Sequence, residues 1–124
     1  MLSIPTLLFL ALETTCILAK TREYDFNITW TTSNPDGAYD RPTIGINGQW
    51  PIPVITADVG DRILIHVQNQ LANRTTSLHF HGLYMNGSTQ MDGVAATSQC
   101  SIPVDGSMTY DFNASRIPTD QITY

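Results

Sequence analysis

The 124-residue sequence predicts an all-β sandwich or small barrel. Three observations carry that expectation. Segments such as "REYDFNITWT", "RILIHVQN" and "SMTYDF" alternate apolar and polar residues at the period of a half-buried strand. Clusters of Gly, Pro, Asn and Asp separate such segments, and these residues favour turns. No helical period persists over about ten residues anywhere in the chain. Roughly six strand candidates stand against about seven or more for a closed sandwich. The expected fold is therefore incomplete at its C-terminal end.

The first element is not expected to belong to the fold. "MLSIPTLLFLALETTCILAK" opens with an apolar block from Leu2 to Leu12, too short to span a bilayer. It ends in small residues, with Ala19 before the expected cut, so residues 1–19 read as a secretory signal peptide. A buried N-terminal helix is the other reading. "CILAK" argues against it by passing into a strand pattern without a helical cap.

In "REYDFNITWT", Tyr24, Phe26, Ile28 and Trp30 share one face. "SNPDGAYDRP" follows, with turn chemistry at Pro35-Asp36-Gly37. "TIGINGQWPIPVITADVGDR" reads as short extended pieces. Asn47-Gly48 marks a tight hairpin there, Pro51 and Pro53 hold their neighbours extended, and Gly60-Asp61 makes a turn. Ile63, Ile65 and Val67 line one face of the next strand. "TSLHFHGL" is expected to be another strand, and "SMTYDF" alternates again through Met108, Tyr110 and Phe112.

Composition excludes some functions. Apolar residues are 42% of the chain, enough for a globular core. The net charge is −5 with only six Lys and Arg, so there is no basic footprint for nucleic acid. Four N-glycosylation triplets begin at Asn27, Asn73, Asn86 and Asn113, which agrees with secretion. Cys16 falls in the expected leader. That leaves Cys100 alone in the mature chain, either awaiting a partner outside it or standing as a free or buried thiol.

The chemistry gathers in "SLHFHGLYMNGSTQMDGV". Residues i and i+2 of a strand point the same way, so His79 and His81 project together and Phe80 turns into the opposite layer. Neutral imidazoles suit copper, zinc, iron and nickel. Gly82 lets backbone or ligand approach closely. Other metal sites fit poorly. A cupin-type site needs a Glu where Met85 and Asn86 stand. His66 lies opposite the apolar face of its strand and is expected to be exposed, not a third ligand. A blue-copper centre needs His after its Cys, and none follows Cys100. Asp92 has two open roles. It suits the turn at Asp92-Gly93, and a carboxylate near metal-bound water can carry protons.

"HFHGLYMNGSTQMDGVAATSQCSIP", with "GDRILIHVQN" upstream, resembles the first cupredoxin domain of the multicopper oxidases. The closest likeness is to fungal iron-transport ferroxidases, with laccases as near relatives. The likeness runs over about residues 24–112.

The resemblance implies a cupredoxin-like Greek-key β-sandwich over residues 20–113, partial at its end, with 114–124 as a non-matching tail. It implies copper, with His79 on the type 2 copper and His81 on a type 3 copper of a three-copper cluster. It implies that Asp92 assists proton delivery and that Cys100 pairs with a cysteine of a later domain. The parent reaction couples one-electron oxidation of Fe(II) or a phenolic reductant to reduction of O2 to water.

The second HxH motif, the blue-copper ligands and the later domains do not occur in these 124 residues. The chain alone is therefore expected to be inactive, in the secretory pathway and then extracellular or at the cell surface. The alternative is a non-enzymatic single-domain copper-binding or interaction protein.

Overall fold

The computed structural model describes residues 18–115. The expected leader up to residue 17, Cys16 and the tail beyond 115 lie outside the described residues. Four strands form one open sheet: β1 Thr21–Ser33, β2 Arg41–Ile46, β3 Arg62–Asn69 and β4 Ser107–Asn113. Their order is β2-β1-β3-β4. β1 runs parallel to β3 and antiparallel to β2, and β4 runs antiparallel to β3.

The long β1 serves two partners in succession. Its first part, Thr21 to Ile28, pairs with β3, and Ile28 to Ser33 pairs with β2. The β2 hairpin closes as the sequence demands. Ile46 and Gln49 exchange both backbone hydrogen bonds around Asn47 and Gly48, whose φ values are +53° and +74°. That is the mirror-image turn for which Asn-Gly is favoured.

The registers place one apolar layer across the sheet. Tyr24 lies beside Ile65 and Phe26 beside Val67, while Ile63 pairs with Phe112 and Ile65 with Tyr110. Phe26, Ile28, Ile63, Ile65, Val67, Tyr110 and Phe112 are all buried. Trp30 pairs with Ile44 across the β1–β2 ladder, but both are 42% exposed. They sit where β1 has left β3 behind, so less packs above them. The Trp30 indole N–H donates to the Leu71 carbonyl at 3.1 Å.

The excursion between β3 and β4 covers the apolar face and supplies Leu71, Met85 and Ile102 to the core, with Leu78, Phe80 and Leu83 packed against it. It contains no paired strand among the described residues, only isolated bridges and a single 3₁₀ turn at Thr89–Met91. The strand expected at "TSLHFHGL" is thus an extended segment bridged only at Thr76 and Ile102. Its donors go elsewhere: the Leu78 N–H to the Tyr110 hydroxyl at 3.0 Å, and the Phe80 N–H to the Asp92 carbonyl at 3.3 Å. Alternation revealed which way the side chains face, but not that side-chain and loop acceptors replace a neighbouring strand.

Asn69 fixes both ends of the excursion. It is fully buried, and its side-chain amide faces the carbonyls of Arg74, Ile102 and Pro103 at 2.9–3.1 Å. Its Oδ1 accepts from the Leu71 N–H. A buried amide tolerates the core only when bonded in this way.

Candidate metal centre

Leu78 and Phe80 turn inward, and the Phe80 ring meets Tyr110 at 5.3 Å and Phe112 at 4.7 Å between centroids. His79 and His81 consequently turn outward. Their rings stand edge to face with centroids 5.5 Å apart, and both residues are exposed. The expected pairing on one face holds even though the segment is not in a ladder, because an extended backbone alternates its side chains with or without a partner.

The orientation of His79 is set by the main chain. Its Nδ1 lies 2.8 Å from the Asp92 carbonyl oxygen. A carbonyl only accepts, so Nδ1 carries the proton and Nε2 keeps its lone pair for a ligand. The Asp92 carboxylate is farther off, with Oδ1 3.6 Å from the same Nδ1. Asp92 therefore orients His79 through its backbone, and its carboxylate stands beside the pair. The same carbonyl accepts the Phe80 N–H. One oxygen thus anchors two successive residues of "HFH".

Gly93 makes this close approach possible. A Cβ built there would stand 1.5 Å from the Leu78 carbonyl oxygen, and its φ is +82°. The sequence marks Gly93 only as the second half of an Asp-Gly turn, so its crowding was not legible. Gly82 differs. Nothing lies within 4 Å of a Cβ added there. No backbone closes on it, and its positive φ of +84° turns the chain after His81.

The other expected residues scatter. His66 is on the far face of the sheet, where Nδ1 meets Thr109 Oγ1 and Nε2 meets Glu23 Oε1, each at 3.0 Å. It is no ligand to the pair. Cys100 is a free, exposed thiol among the described residues. Asn27, Asn73, Asn86 and Asn113 are all exposed. Among the described residues no cluster of three or more His, Cys, Asp or Glu could hold a metal. The donor set thus fits two positions of a copper site, with an imidazole already fixed in the ligating tautomer. The described residues supply these two donors and no third.

Comparison with known proteins places the chain in a family. The multicopper oxidase pattern (Cu-oxidase_3) matches residues 27–120. The iron transport multicopper oxidase FET3 of Gibberella zeae is 56% identical over 116 residues, covering 94% of this chain and 18% of that protein. Laccase-2 of Cryptococcus neoformans is 47% identical over 95 residues, covering 77% of this chain and 16% of that one. The crystal structure of Fet3p, described as a multicopper oxidase that functions in iron import, superposes with a TM-score of 0.72 at 42% identity, over 76% of this chain and 18% of that one. The laccase from Botrytis aclada gives 0.73 at 42% identity, over 77% and 18%. The chain spans less than a fifth of the length of these relatives. A pattern shared across most of its residues, in the fold that those structures share, means that this chain belongs to the multicopper oxidase family.

Proposed function

We propose that the chain is the first cupredoxin portion of a secreted, ferroxidase- or laccase-like multicopper oxidase, contributing two copper ligands and no complete centre. The observation that carries this reading is the His79–His81 pair, outward-facing and 5.5 Å apart, with His79 Nδ1 occupied by the Asp92 carbonyl. His79 would hold the type 2 copper and His81 a type 3 copper. When bound, copper supplies the one-electron chemistry that links Fe(II) or a phenolic reductant to O2.

The chain's own residues bind and orient. Asp92 holds the His79 imidazole through its carbonyl, and its partly exposed carboxyl group, with Oδ1 3.6 Å from His79 Nδ1, would take up protons from solvent and pass them to a reactant bound beside the pair. Exposed Cys100 is available to a cysteine on a later domain. The exposed Asn27, Asn73, Asn86 and Asn113 are available for glycans, in keeping with a leader over residues 1–19 and an extracellular or cell-surface destination.

The test is titration of Cu(II) into the full chain, followed by electron paramagnetic resonance, beside a ferrous-iron oxidation assay in air. Weak, nitrogen-coordinated binding that is lost in His79→Ala and His81→Ala, with no turnover, is expected. Turnover by this chain, or binding indifferent to both substitutions, would overturn the reading. Tight stoichiometric binding without turnover would instead favour a single-domain copper-binding protein.

A further inference from the structure

We propose that Asp61 is the receptor for the α-ammonium group released when the chain is cut after Ala19. The inference rests on the leader reading and goes beyond it, by assigning the new terminus a built site.

The Lys20 backbone nitrogen lies 2.8 Å from Asp61 Oδ1, and the Lys20 carbonyl accepts the Arg62 N–H at 2.8 Å. Residue 20 is thus pinned by both of its backbone groups, while Leu18, two residues earlier, is 75% exposed. The Asp61 side chain is only 4% exposed. Its Oδ2 accepts from Arg22 Nε at 2.7 Å and from the Asp58 N–H at 3.1 Å. A buried carboxylate has been placed where the chain begins its first strand.

Charge points the same way. Asp58 and Asp61 share one cation, Arg22, which reaches Asp58 Oδ2 through its other arm at 3.0 Å. The neighbouring Arg62 guanidinium is committed to Asp111 on β4. The cluster is therefore one positive charge short.

Hydrolysis supplies that charge. Water adds across the Ala19–Lys20 peptide bond, with a leader-processing protease as catalyst. Ala19 leaves as a carboxylate, and Lys20 keeps its nitrogen as an ammonium at neutral pH. No net proton is released. The donor to Asp61 stays in place but becomes charged, and a bond charged on both sides is stronger than one to a neutral amide. The start of β1, where it meets β3, is thus reinforced by maturation.

The sign follows. An α-amine held against Asp61 has its pKa raised above the free value. It contributes fully below that free value, and the contribution is lost as pH rises through the folded one.

The experiment uses the full chain expressed in a secreting eukaryotic host. Mass spectrometry identifies the N-terminus, and competitive acetic-anhydride labelling follows the α-amine against pH, in the folded state and in urea. The expected terminus is Lys20, and its α-amine labels at least about tenfold more slowly at pH 8 when folded, against a free α-amine pKa near 7.7–8.0. Asp61→Asn should abolish the difference. The comparison with urea stands alone if that variant does not fold. A terminus other than Lys20 would overturn both the leader reading and this inference. A Lys20 terminus with equal labelling in both states would overturn the inference alone.

Discussion

Two glycines show what a single residue can and cannot announce. Gly87 and Gly93 both have positive φ, +76° and +82°, and each follows an Asn or Asp in the sequence. A turn is legible at both. Only the structure separates them: a Cβ at Gly87 meets nothing within 4 Å, while one at Gly93 would enter the Leu78 carbonyl. Gly87→Ala is therefore expected to cost about 1–2 kcal/mol, the penalty of the left-handed region. Gly93→Ala is expected to cost clearly more, because the Asp92 carbonyl must withdraw and release His79 Nδ1 and the Phe80 amide. Urea midpoints of the two variants give the comparison. Equal midpoints would mean that the loop moves freely and that Gly93 does not position the histidine.

Among the elements, β1, β3 and β4 were legible because their apolar alternation is long and one face is buried. The Asn-Gly hairpin was legible because so few residues accept that turn. The "HFH" segment was legible in its facing and not in its pairing. What replaces a ladder there is the hydroxyl of Tyr110, a residue 32 positions away in sequence, and no local pattern encodes such a bond. Tyr110 is fully buried on β4. Removing its hydroxyl strands the Leu78 N–H in a half-buried place, at a cost of about 1–3 kcal/mol. Tyr110→Phe is thus expected to lower the urea midpoint without changing the slope, and to speed hydrogen exchange at Leu78 before it does so elsewhere. Unchanged exchange at Leu78 would show that the tether is not what holds the copper-ligand segment down.

For the molecule as a whole, apolar burial at the centre of the sheet dominates, and charge at its start adds a smaller, pH-dependent share. Beside its apolar layer lies an open groove of about 410 Å³ lined by Ile55, Val59, Ile63, Phe80, Leu83 and Phe112. The electrostatic share then shows in acid. The Lys20 amide, the Arg22 guanidinium and the Asp58 amide together hold the Asp61 carboxyl down to about 2, well below its usual 3.8. Arg41 lowers Asp36, and Arg62 lowers Asp111. A depressed carboxylate contributes stability above its unfolded pKa and loses it as pH falls through the folded one. The urea midpoint should therefore hold steady down to about pH 5 and fall between roughly pH 4 and pH 2, the span between the two Asp61 values. Asp61→Asn should start lower at neutral pH and fall less over that span, because its share of the titration is gone. Asp36→Asn, at an exposed turn pair worth little, should follow the parent curve. An Asp61→Asn chain that loses stability in acid as steeply as the parent would place the acid sensitivity elsewhere, and would remove the clamp at Lys20 from the account of what holds β1 to β3.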